Sequence, residues 1–217
     1  MTVCISWPER GLYVNEDNDS PYTVRGRANV GALVQLFSGA TSLGTTNADQ
    51  SRDWSMVVDF EQRFSEGAVP LEVTLEGITA PAVTVIYDMT NPASSANNTQ
   101  SLNGTLSITW TASDEKPPIQ TSGLASTQLW CRPPGSAWAN TGYTQGGTSV
   151  AFYYTPANGD GTYFFATRSV DRADNWEDEP NGDGDRSFNY IAPTNPNNPT
   201  GKEGGGGGCF IITAASD

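Results

Sequence analysis

Short runs of alternating apolar and polar residues, broken by turn clusters and carrying no 3.6-residue period, predict an all-β protein. The expected architecture is two tandem β-sandwiches followed by an extended Gly-rich tail that ends in a short strand. Three observations carry this reading. About seven strand-like runs fit before Asp88, a density that suits a sandwich. Asp88-Met89-Thr90-Asn91-Pro92 interrupts the runs, which then resume as far as Ile191. Glycine (23 residues), proline (14) and 10% aromatics describe punctuated strands rather than helices.

The first strand is read at Val3-Cys4-Ile5-Ser6-Trp7, and a turn cluster follows over 15–21. The run 22–28 alternates, and 32–37 with 41–46 form a hairpin around Ser38-Gly39. In the strand 54–60, Trp54, Met56 and Val58 share one face, and in 70–77 Leu71, Val73 and Leu75 point inward. The run 83–88 closes the set. Trp54 occupies an inward position and is expected in the core.

Arg25-Gly26-Arg27-Ala28, Ala32-Leu33-Val34-Gln35-Leu36-Phe37, Leu43-Gly44-Thr45-Thr46, Ala48-Asp49 and Trp54-Ser55 together resemble the bacterial Ig-like modules of surface proteins and adhesins. The pattern is a glycine turn, a V-x-L-F strand, L-G-T-T-x-A-D and a tryptophan strand, with Asp53 where a glycine usually precedes the tryptophan. The resemblance implies an Ig-like sandwich over 1–88. Residues 89–92 form the linker, and Asp88-Met89-Thr90-Asn91-Pro92 is similar to the D-x-T-x-P joint between tandem modules of this kind. Pro92 disfavours helix before it and stiffens the joint.

The second module spans 93–191. Thr105 to Thr111 alternates cleanly, 122–132 is the next strand, and Trp138 and Tyr143 flank a short hairpin. The runs 149–156 and 161–171 make the centre, and 186–191 is last. Trp110 is again read as core. Trp110-Thr111-Ala112-Ser113-Asp114, Ser122-Gly123-Leu124-Ala125-Ser126 and Asp171-Arg172-Ala173-Asp174-Asn175-Trp176-Glu177 resemble fibronectin-III/Ig-like modules of secreted bacterial proteins. That family has a glycine where Asp174 stands, so a left-handed backbone is expected there.

Residues 192–208 are a Pro/Asn/Gly-rich linker, and 209–217 are a short strand-former. Phe210 and Ile212 point one way; Cys209, Ile211 and Thr213 point the other. The segment is too short to cross a bilayer and cannot pair its backbone alone. It resembles the C-F-I-x-T-A-A box that follows a glycine run in many secreted bacterial proteins. The linker reaches up to about 55 Å, far beyond the ~13 Å radius of a module. Cys209, Phe210, Ile211 and Ile212 are therefore read as an assembly strand donated to a neighbouring subunit, a head-to-tail contact that propagates as a homopolymer. A disulfide between Cys209 of one subunit and Cys4 of the next is the expected lock, with Cys131 the rival partner.

A net charge of -13 opposes nucleic acid as a partner. No membrane span and no signal peptide are read from the sequence. The chain has no histidine, which excludes Ser-His and Cys-His catalysis, and no phosphate loop appears. No enzyme is expected. The composition and resemblances point to the extracellular surface of a bacterium. No cofactor is required, but calcium is the candidate ligand for clustered carboxylates: Asp183 and Asp185 in an Asp/Gly loop, and Asp88 with Asp171 and Asp174 at the joint, the last three implied by related tandem modules. The functional reading is a non-catalytic structural subunit of a surface filament. The alternative is an adhesin or carbohydrate-binding fragment using Trp130, Trp138 and Tyr143 as a stacking face.

Overall fold

A computed structural model describes residues 3–6, 13–15, 21–146 and 151–193. The protein is all-β, with sixteen strands and one helical turn among those residues. In the first half, β1 (Cys4–Ser6), β3 (Tyr22–Arg27) and β6 (Asp53–Val58) form one antiparallel sheet in the order β1-β3-β6. The facing sheet runs β2-β9-β7-β4-β5, built from β2 (Tyr13–Val14), β4 (Leu33–Ser38), β5 (Thr41–Asn47), β7 (Gly67–Leu75) and β9 (Val83–Tyr87), with β8 (Ile78–Thr79) beside β7. Inward residues alternate as expected: Trp54, Met56 and Val58 are buried, as are Leu71, Val73 and Leu75.

Two local differences have clear causes. The strand expected to reach Phe60 stops at Val58, because Asp59 caps a four-residue helix, α1 (Phe60–Arg63), by accepting from the Gln62 N–H at 3.0 Å. The turn inserts Phe60 into the core, edge-on to Tyr22 at 5.4 Å. Gly26, read as a turn glycine, lies inside β3. A Cβ there would sit 2.2 Å from the Cys4 carbonyl oxygen and 2.3 Å from Trp54 Cζ2, so the glycine serves close approach of the indole.

The second half is a sandwich of a three-stranded sheet, β10 (Ala93–Leu102), β11 (Thr105–Ser113) and β14 (Ala151–Tyr154), and a four-stranded one. The latter orders β13 (Ala139–Gln145), β12 (Leu124–Arg132), β15 (Gly161–Asp171) and β16 (Arg186–Tyr190). The apolar interior falls into two separate clusters, one within residues 14–87 and the other within 96–190. Trp110 belongs to the second, stacked on Phe152 at 5.5 Å. β10 carries no hydrophobic strand signal in the sequence. Its residues are small and polar, and only Ala96 and Thr99 are buried. Its place is set by pairing with β11 and by Asp185, whose Oδ2 accepts from the Ala96 and Thr167 N–H groups at 2.8 and 2.9 Å.

Candidate metal centre

Strands end where the two modules meet, and three of those ends carry an aspartate. Asp88 follows β9, Asp114 follows β11, and Asp171 is the last residue of β15. Each offers a carboxylate oxygen within 4.8 Å of the others, and all three are buried, at 1%, 5% and 0% exposure. Asp88 is fixed from its own module by its N–H, which donates to the Val14 carbonyl at 2.9 Å. Parallel pairing of β2 with β9 brings Asn15 to the same end. Asp88 Oδ1 accepts from the Thr90 N–H at 3.0 Å, and Oδ2 accepts from the Ser122 N–H of the second module.

Asp171 organises the turn after β15. Its Oδ1 accepts from the Ala173 and Asn175 N–H groups, each at 2.8 Å, and its Oδ2 accepts from the Asn175 amide at 2.7 Å. Within this turn Asp174 adopts φ 68, the left-handed conformation expected from its position. The same Asn175 amide donates to the Asp88 carbonyl at 2.8 Å, and the Asn15 amide donates to the Ala173 carbonyl. Asp114 Oδ2 accepts from the Gly123 N–H at 2.7 Å, while its Oδ1 is buried with no hydrogen-bond partner. Beside the cluster, Lys116 pairs with Glu66 Oε2 at 2.5 Å, and Glu66 Oε1 accepts from Met89 N–H and Thr90 Oγ1 at 2.8 Å each.

Burial pushes Asp114 up to about 6, and the neighbouring Asp88 and Asp171 charges push the same way. Burial also raises Asp171, with Asp88 adding to it against the Asn175 hydrogen bonds. For Glu66 burial acts upward, but hydrogen bonds from Lys116, Thr90 and Met89 outweigh it and the carboxyl ends below its ordinary value. A raised carboxyl pKa means the folded state holds a proton that the unfolded chain has released. In chelator, stability therefore falls as pH rises from the unfolded value of 3.8 through about 6, then levels off. The expected drop is roughly 2–3 kcal/mol. Glu66 has the opposite sign and acts at the acid end, near its ordinary 4.5 and below. Urea midpoints of the chelated chain between about pH 4 and pH 7 measure the falling limb, and Asp114→Asn should flatten it.

Of the carboxylates expected to bind calcium, the fold brings Asp88 and Asp171 together and adds Asp114. Asp174, Asp183 and Asp185 stand outside the group. Asp183 is exposed and pairs with Arg132 at 2.8 Å, and Asp185 is used to pin β10 to β15. The signal for Asp114 was present in the sequence: like Asp88 and Asp171, it closes a strand-like run. Its partners were not readable, because they lie 26 and 57 residues away, and Asp88 joins the other two only when the sandwiches dock.

The aromatic face is already engaged within the chain. The Arg168 guanidinium lies 6.0 Å from the Trp130 ring centroid and 5.0 Å from that of Trp176. Arg132 lies 5.5 Å from Trp138 and 4.1 Å from Phe164. The Trp138 ring packs where a Gly184 Cβ would be, 2.5 Å away, and its N–H donates to the Gly182 carbonyl. Tyr143 is exposed. Cys4 is exposed on β1, at the edge of its sheet. Cys131 is buried, with burial pushing its thiol up to about 11, so the rival disulfide would require opening the core. Cys209, Phe210, Ile211 and Ile212 lie outside the described residues.

No family model matches the chain, and no curated protein does. Among solved structures it is similar to domains A168–A170 of titin, at 12% identity and TM-score 0.49, over 81% of this chain and 62% of that one. It is also similar to the chicken CNTN1 FN1–FN3 domains, at 8% identity and TM-score 0.49, over 85% and 65%. The chain spans less than two thirds of either fragment. A glycosyl hydrolase family 2 member from Bacteroides cellulosilyticus matches at 14% identity and TM-score 0.28, over 68% and 22%. With TM-scores below 0.5, these likenesses carry nothing about a role or a ligand. With its three-plus-four strand order, the second module is an Ig/fibronectin-III-like sandwich in its own right. No helix among the described residues is long and apolar enough to cross a membrane.

Proposed function

We propose that the chain is a non-catalytic structural segment of a bacterial extracellular surface protein, two Ig-like sandwiches held end to end as one stiff piece. The observation that carries this reading is the construction of the joint. A flexible string of modules needs only the linker at 89–92. Here Asn15, Glu66 and Asp88 of the first module each bond to the second, at Ala173, Lys116, and Ser122 with Asn175. Bonds from side chains of one module to the other, the Asn15 and Asp88 ones buried, favour one relative orientation.

In its finer form the segment is a filament subunit, with Cys209–Ile212 donated to a neighbour and Cys209 bonded to that neighbour's Cys4. The apolar residues on both faces of the tail and the exposure of Cys4 on an edge strand support it. The alternative, an adhesin or carbohydrate-binding fragment using Trp130, Trp138 and Tyr143, draws on the exposed Tyr143. The arginines stacked on Trp130 and Trp138 favour the structural reading.

Spin labels at Val57→Cys and Tyr153→Cys, both exposed strand positions, test the stiffness in a Cys4→Ser/Cys209→Ser background. A single narrow distance distribution is expected; a broad one overturns the rigid pair. Unlabelled chain on non-reducing gels should give a ladder that Cys4→Ser abolishes, and monomer alone removes the disulfide-locked filament.

A further inference from the structure

We propose that the joint is a calcium site, with Asp88, Asp114 and Asp171 as its carboxylate ligands. This rests on the reading of the joint as a stiff interlock and adds the ligand that holds it. Three anionic oxygens within 4.8 Å of one another match the span across one calcium ion, whose oxygen ligands sit at about 2.3–2.6 Å. The second observation is the Asp114 Oδ1 atom. It is buried, on a cluster residue only 5% exposed, and has no hydrogen-bond partner, whereas every other oxygen of the three carboxylates accepts at least one N–H. A buried acceptor with no hydrogen-bond partner calls for an explanation, and a cation bound there supplies one.

The charge balance points the same way. Among the described residues no lysine or arginine pairs with any of the three carboxylates. Lys116 is taken by Glu66, and the Arg172 guanidinium donates to the Ser122 carbonyl at 3.5 Å. Three carboxylates gathered out of water need a counter-charge, and a divalent ion supplies two units at one point. The donor set selects the metal. The chain has no histidine, Cys131 lies in the second core and Cys4 on an edge strand, so zinc and copper lack their preferred ligands. Magnesium retains several waters and rarely occupies an all-protein cage, whereas calcium accepts a flexible set of protein oxygens. Because Asp88 comes from the first module and the other two from the second, the ion is bonded across the joint. Calcium affinity and module docking must then strengthen each other.

The test is calorimetric titration of calcium chloride into the full chain after EDTA treatment and dialysis, with Asp114→Asn, Asp183→Asn and the Val57/Tyr153 label pair in parallel. The expected result is one calcium per chain, a rise in melting temperature, and a narrower label distribution with calcium than with EDTA. Asp114→Asn keeps an acceptor for Gly123; it should lose at least tenfold in affinity while melting no lower than wild type in EDTA. Asp183→Asn, on the exposed pair with Arg132, should bind as wild type does. Magnesium should not reproduce the shift. No binding heat and no melting shift, with a narrow label distribution throughout, overturns the calcium site and leaves the stiff joint standing. A distribution that stays broad with and without calcium overturns the stiff joint as well. Calcium binding unchanged in Asp114→Asn places the ion elsewhere and overturns the proposal.

Discussion

Gly26→Ala is expected to destabilise the first module by about 3 kcal/mol, near the upper end for overpacking. That corresponds to a fall of roughly 15 °C in its melting transition for a domain of this size. The added methyl would meet the Cys4 carbonyl oxygen at 2.2 Å and the Trp54 ring at 2.3 Å, both far inside contact distance. Neither neighbour can step aside cheaply. Cys4 belongs to the β1–β3 ladder, and Trp54 is a 3%-exposed core residue directly opposite Gly26 in the β3–β6 register. Differential scanning calorimetry should show one transition moving down while the second module's transition moves far less, since the cores are separate. Trp54→Leu in the same chain should recover part of the loss, because it removes one of the two obstacles. A variant melting within about 2 °C of wild type would mean that the indole does not lie over β3.

Asp171→Ala is expected to cost about 3 kcal/mol in the second module and to uncouple the two modules. The carboxylate receives three N–H bonds, from Ala173, Asn175 and the Asn175 side chain. Each buried donor left without an acceptor costs about 1–3 kcal/mol. Two of the three retain another acceptor, Ser122 Oγ for Ala173 and the Asp88 carbonyl for the Asn175 amide, so the sum stays near the lower end. Removing one charge from the acidic cluster offsets a further part; the hydrogen bonds outnumber that gain. The turn over 171–175 then loses its anchor, and with it the contacts from Ala173 to Asn15 and from Asn175 to Asp88. The label-to-label distribution should broaden. Asp171→Asn, which keeps an acceptor for the main-chain N–H groups, should cost less. Equal melting and equal distance distributions for Asp171→Ala and wild type would refute the anchoring role.

Period-two alternation is local, so the strands carrying Trp54, Leu71 and Trp110 were legible residue by residue. The left-handed Asp174 was legible through the resemblance, which puts a glycine at that position. The polar strand β10 was not, because its order comes from β11 and Asp185 and leaves no hydrophobic trace of its own. The joint was half legible. Asp88 and Asp171 were nominated through the resemblance to tandem modules, whereas Asp114 looked like one more carboxylate closing a strand.

The sequence alone determined that this chain is β throughout, in two sandwiches, with histidine chemistry closed to it, because side-chain periodicity and residue inventory need no long-range information. Only the tertiary structure decided which carboxylates form a site. Asp88, Asp114 and Asp171 come together because three strands end at one interface, and burial there removes the water that would otherwise screen their charges.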